Sequence, residues 1–203
     1  MHIRSMSSPI LAAVVSRPFD PHDFDDLVAA HAEIGVEVGL HEREPLGMMA
    51  GMEWLMPSQV MLFIGAGYFG GMVKKLGEDH YQLLKVKVKA LYGSLVGPKA
   101  PTVTLIATKG KISSDRRYSM AFSVLAEADD GLQFKLLIQD GASERLYEDS
   151  VEAFVNFLDA FHHRQLSSSA IAELQKIPVV GRTLLLAYDE ALGRVVPVNP
   201  HAS

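Results

Sequence analysis

From Pro57 to Val73 the chain runs seventeen residues without a charge. A segment with no charged face cannot lie as a helix or strand on a wet surface, so other parts of the chain, or another copy, must cover it. After Lys74-Lys75 the sequence turns basic and amphipathic as far as Val96.

The first conformation that fits is a helical hairpin over 58–95. Ser58 stands as N-cap just after Pro57, Gly77 breaks the first helix, and Glu78-Asp79 opens the second. In the second helix Tyr81, Leu84, Val88, Leu91 and Leu95 recur at steps of three or four, one apolar stripe. The first helix has no polar side before Lys74, so it is expected in the core or in an oligomer interface. There Gly67 with Gly71, and Ala66 with Gly70, would let another backbone approach.

The second conformation is a strand followed by a phosphate loop. Gly65-Ala66-Gly67-Tyr68-Phe69-Gly70 spells G-x-G-x-x-G directly after the apolar Val60–Ile64, a pattern that aims backbone N–H groups at a pyrophosphate. Gly65, Gly67 and Gly70 would then bind NAD(P). The supporting context is a second strand ending in an acid about 20 residues later. Lys85–Lys89 alternates like a strand but ends without an acid. A membrane span needs about 20 apolar residues, more than Val60–Val73 supplies, which leaves contact with a membrane surface as a third use of the segment. The helical hairpin is the expectation carried forward.

The remainder reads as one α+β domain over 9–198, with tails at 1–8 and 199–203. At 203 residues and 48% hydrophobic the chain can build a full core, and 21% charged residues set it apart from disordered chains. Ile10–Val15 is a strand. Asp20 caps a helix with Pro21 at its first position, and Ile34–Leu40 is a second strand, giving a β-α-β start expected to be parallel and right-handed. Thr102–Thr108, Tyr118–Ala126 and Gln133–Gln139 are strands, the last two joined through Asp129-Asp130-Gly131 as an antiparallel hairpin. Tyr147, Val151, Phe154, Leu158 and Phe161 mark a long helix to about Gln165. A short helix over Ser167–Lys176 and a β-hairpin over 183–198 complete a mixed sheet covered by helices.

Chemistry is sparse. A net charge of −5 argues against a nucleic-acid partner, and the absence of cysteine removes disulfides, thiolate catalysis and Cys-ligated zinc. A cytoplasmic location fits. No nucleophile-elbow, zinc-protease, P-loop or EF-hand pattern occurs. His22, His31, His41 and His80 are scattered. The acidic Asp20–Asp26 run is explained by helix capping, and His162-His163 do not share a helix face, so no metal or other cofactor is expected. His41, Glu42 and Glu44 beside Glu37 form an acid–base cluster only if the fold brings them a partner. The basic loop Lys109–Arg117 reads as a solvated hairpin end. Eight acids between Asp20 and Glu44 and six lysines between Lys74 and Lys99 read as solvated surfaces. Five of the nine methionines lie within 48–61, a segment suited to a protein partner. The functional expectation is a non-enzymatic interaction or regulatory module, a homo-oligomer through its central helix. The alternative is an NAD(P)-binding enzyme or sensor using 65–70.

Overall fold

A computed structural model describes residues 10–44, 58–69, 79–103, 117–128 and 131–200. The fold is α+β. Seven strands form one mixed sheet in the order β2-β1-β3-β4-β5-β6-β7. They are β1 (Leu11–Ser16), β2 (Val38–Arg43), β3 (Val60–Ile64), β4 (Tyr118–Glu127), β5 (Gln133–Gln139), β6 (Thr183–Asp189) and β7 (Arg194–Pro197). The helices are α1 (Asp25–Glu33), α2 (Asp79–Ala90), the single turn α3 (Tyr92–Leu95), α4 (Glu144–His162) and α5 (Ser168–Gln175).

Period-two alternation decides the layers. Leu11, Ala13 and Val15 of β1, Phe122, Val124 and Ala126 of β4, and Phe134, Leu136 and Ile138 of β5 point to one face. Leu27 of α1, Leu84 and Val88 of α2, and Val151, Phe154 and Leu158 of α4 cover that same face. On the other face Tyr118, Leu137, Leu185 and Ala187 make a smaller apolar cluster.

Over the described residues 58–69 the first helix of the expected hairpin is not formed. Val60–Ile64 is instead β3, a central strand antiparallel to β1 and parallel to β4. The physical reason is position: Val60, Leu62 and Ile64 bury completely against the helices, while Met61 and Phe63 are half-buried on the opposite face. A central strand with neighbours on both edges and one face under the helices has no more need of a charged side than a buried helix does. Only the second arm of the hairpin is helical, as α2 and α3.

The other elements form close to their sequence signals, except that β2 starts at Val38 and not at Ile34, because Ile34 and Gly35 close the end of α1. Asp20 accepts from His22 N–H and starts a 3-10 turn over Pro21–Phe24 that leads into α1. Ser143 caps α4, accepting from Leu146 N–H at 3.2 Å. Gln165 N–H returns to Ala160 C=O at 2.7 Å, ending α4 where Arg164 takes a φ of 57°. β4 and β5 are antiparallel, as are β6 and β7. Of the strand expected at Thr102–Thr108, Thr102 and Val103 have no regular structure and the rest lies outside the described residues.

β1 and β2 are parallel, joined through α1, and β5 and β6 are parallel, joined through α4 and α5. Following the pair orientations across the sheet, β1 and β5 point the same way. Both crossovers carry their main helix over the same face, yet β2 lies on the side of β1 away from β5 and β6 on the side of β5 away from β1. The two crossovers therefore have opposite hands, so at least one departs from the right-handed rule that holds in about 98% of cases. Among the described residues no helix is long and apolar enough to cross a membrane.

Candidate functional site at the carboxyl ends of strands β3 and β4

β3 and β4 end side by side, Ile64 opposite Ala126. The chain leaving β3 turns at once: Gly65 N–H donates to Ile10 C=O at 2.9 Å, and Ala66–Tyr68 is one 3-10 turn. Glu127, the last residue of β4, reaches across and accepts Ala66 N–H on Oε2 at 3.1 Å. The turn drives Tyr68 and Phe69 inward, to 0% and 4% exposure.

Tyr68 ties three elements together. Its hydroxyl lies 3.0 Å from His80 C=O at the start of α2 and 3.2 Å from His31 Nε2 on α1. His31 Nδ1 is 2.8 Å from Leu27 C=O, and since a carbonyl only accepts, Nδ1 carries the hydrogen. With His31 neutral, the one phenolic proton faces two acceptors, and the shorter contact is to His80 C=O. Burial lowers the His31 pKa, with the Leu27 hydrogen bond opposing it. Burial also raises the Tyr68 pKa, so this phenol is a structural donor and no nucleophile.

The outer half of the cluster is half-exposed. His162 on α4 stacks on Phe69 with centroids 4.4 Å apart and planes 8° from parallel, and its Nε2 is 3.1 Å from Glu127 C=O. His163 Nδ1 meets Asp159 Oδ1 at 3.0 Å. Burial pushes Tyr81 up to about 12, and Asp159, which accepts its hydroxyl, adds to the shift. An imidazole oriented by a carboxylate is half of a nucleophilic triad. Among the described residues, however, no Ser or Thr hydroxyl is hydrogen-bonded to His163, and no group of His, Asp and Glu could hold a metal ion.

Gly65 and Gly67 lie in the turn after β3, and Gly70 lies outside the described residues. The turn follows a strand, as a phosphate loop does, and the adjacent parallel strand ends in an acid. That acid occupies the loop amide itself, and the aromatic residues of the loop fill the core below, where a nucleotide would need a crevice.

The other sequence candidates stay apart. His22 pairs with Asp25 at 3.1 Å on the surface, and Asp25 raises its pKa. His41 and Glu42 stand exposed on the outer strand β2, far in the sheet from β3 and β4. The expected acidic and basic surfaces meet once, Lys87 to Asp26 at 2.8 Å, whereas Lys85 and Lys89 converge on Glu152 of α4. Lys89 chiefly holds the Glu152 carboxyl below its usual range. Of the Met-rich segment 48–61 only 58–61 are described, and of the basic loop only Arg117.

Sequence reasoning missed Tyr68, Phe69, Glu127 and Asp159. Periodicity places residues within an element; it does not say that positions 31, 68 and 80 converge. The one available signal was aromatic: Tyr68-Phe69 in a loop beside a strand end, where large apolar groups fold inward. In comparisons with known proteins, no family model, curated protein or solved structure matches the chain.

Proposed function

We propose that the chain is a non-enzymatic interaction module. The observation that carries this reading is the closure of the β3–β4 end: Glu127 takes up the loop amide, and Tyr68 takes up His31 and the His80 carbonyl. The groups that would do chemistry there are engaged with one another. Self-association through a central helix loses its surface, because Leu62 and Ile64 are inside the sheet. The route proposed instead is the edge strand β2, whose residues from Leu40 to Glu42 are exposed. Two β2 strands paired antiparallel about a two-fold axis at Leu40 set that exposed leucine against its own copy, an apolar cross-strand pair. Sedimentation velocity tests this: the chain should associate at micromolar concentration, and Leu40→Pro should leave a folded monomer. A monomeric parent chain refutes the edge-pairing.

The NAD(P) reading keeps one observation in its favour, the strand–glycine turn beside a parallel strand ending in Glu127. Thermal melts with NAD(H) and NADP(H) separate the two. No shift is expected, whereas a saturable shift of about 2–4 °C, lost in Gly67→Val, would establish the nucleotide site and refute the non-enzymatic reading.

A further inference from the structure

The opposite end of the sheet carries an open polar cavity. β5 and β6 run against β3 and β4, so their carboxyl ends lie at that far end, the position where α/β sheets most often hold ligands. A cavity of about 510 Å³ opens there, on the face away from α4. Its floor is Tyr118, Ala187 and Val198, part of the smaller apolar cluster. Its rim holds Arg117 on the β4 side and Asp189 and Glu190 on the β6–β7 turn.

These charges are placed and separated. Arg117 lies over the Tyr118 ring, its guanidinium carbon 5.4 Å from the centroid, which holds the cation at the cavity wall. Asp189 Oδ1 caps the turn by accepting from Ala191 and Leu192 N–H at 2.9 and 3.0 Å. Among the described residues no carboxylate lies within ion-pair range of Arg117, and no cation within range of Glu190. β4 and β6 flank β5, so the two walls are two strand spacings apart, about 10 Å between backbones. Arg117 and Glu190 line one cavity from its two sides, so a single occupant meets a positive and a negative group.

We propose that this cavity binds a small zwitterion bearing an ammonium and a carboxylate, a free amino acid or a dipeptide. The carboxylate meets the Arg117 guanidinium, the ammonium meets Glu190 and the outer oxygen of Asp189, and the body rests on Tyr118 and Val198. A fully extended dipeptide spans about 7 Å, and longer peptides overrun the gap. The site is independent of the interaction reading above, since it sits at the other end of the sheet and needs no reaction.

Amide-resolved NMR titration of the whole chain tests it, with glycine and glycylglycine as probes and with glycylglycine blocked at either end as controls. Saturable shifts are expected at Gln139, Tyr188, Asp189 and Val198 with one or both zwitterions below about 10 mM. Blocking either end should weaken binding about tenfold. Arg117→Ala should erase the preference for the free carboxylate, Arg117→Lys should keep part of it, and Glu190→Gln should erase the preference for the free ammonium. No saturable shift at these amides, or equal binding of zwitterion and blocked forms, overturns the proposal.

Discussion

The two ends of one sheet treat the same kinds of residue in opposite ways. At the carboxyl ends of β3 and β4, histidine, tyrosine and glutamate are drawn together under α1, α2 and α4, and each polar contact closes on another part of the chain. At the carboxyl ends of β5 and β6, arginine, tyrosine and glutamate surround empty space. The difference is cover. Buried polar atoms must find partners within the protein, so they become joints between elements; polar atoms at an open rim are solvated and can exchange water for a ligand. The closed end should therefore govern stability, and the open end should hardly affect it.

The largest effect should follow from removing the joint. Tyr68→Ala deletes a fully buried aromatic ring and should cost about 3–5 kcal/mol in denaturant unfolding. Tyr68→Phe keeps the ring and removes the donor to the His80 carbonyl, an expected loss of about 1–3 kcal/mol. If Tyr68→Phe proves neutral, the hydroxyl is no joint and the contrast between the ends fails.

Gly131→Ala comes next. Gly131 holds a φ of +72° in the β4–β5 connection, and a Cβ there would sit 2.5 Å from Arg182 Nη2. The guanidinium can swing aside, so the backbone cost should dominate, about 1–2 kcal/mol by the same unfolding measurement.

Acid should act on the closed end through His31. The unfolded imidazole titrates near its ordinary value, and the folded His31 titrates lower because it is buried. Between the two values the unfolded chain binds the extra proton. The His31 contribution is therefore fully present above about pH 6.5 and declines as the pH falls, with a slope of at most about 1.4 kcal/mol per pH unit. Unfolding curves at about pH 7 and about pH 5 should diverge less in His31→Gln than in the parent chain.

The smallest change belongs to the open end. Arg117→Ala removes a stacked but exposed cation and should shift stability by no more than about 1 kcal/mol. A larger loss would make the cavity wall a structural element.

Much of the architecture was legible in the sequence because its signals are local. Asp20-Pro21 fixes a helix start, the stripe from Tyr147 to Phe161 fixes α4, and alternation over Gln133–Gln139 fixes β5. The helix expected from Ser58 failed for a nameable reason. Five apolar residues carry no period, and a central strand and a buried helix draw on the same apolar composition. The candidate site was less legible, since it is made between elements. His31, Tyr68, His80 and Glu127 come from four separate segments, and only tertiary packing brings them together.

The opposite hands of the two β-α-β crossovers decide whether the fold repeats itself. Rotation never converts one hand into the other, so no superposition lays β1-α1-β2 on β5-α4-β6. The two units are then not a structural repeat of one another, however alike their element order.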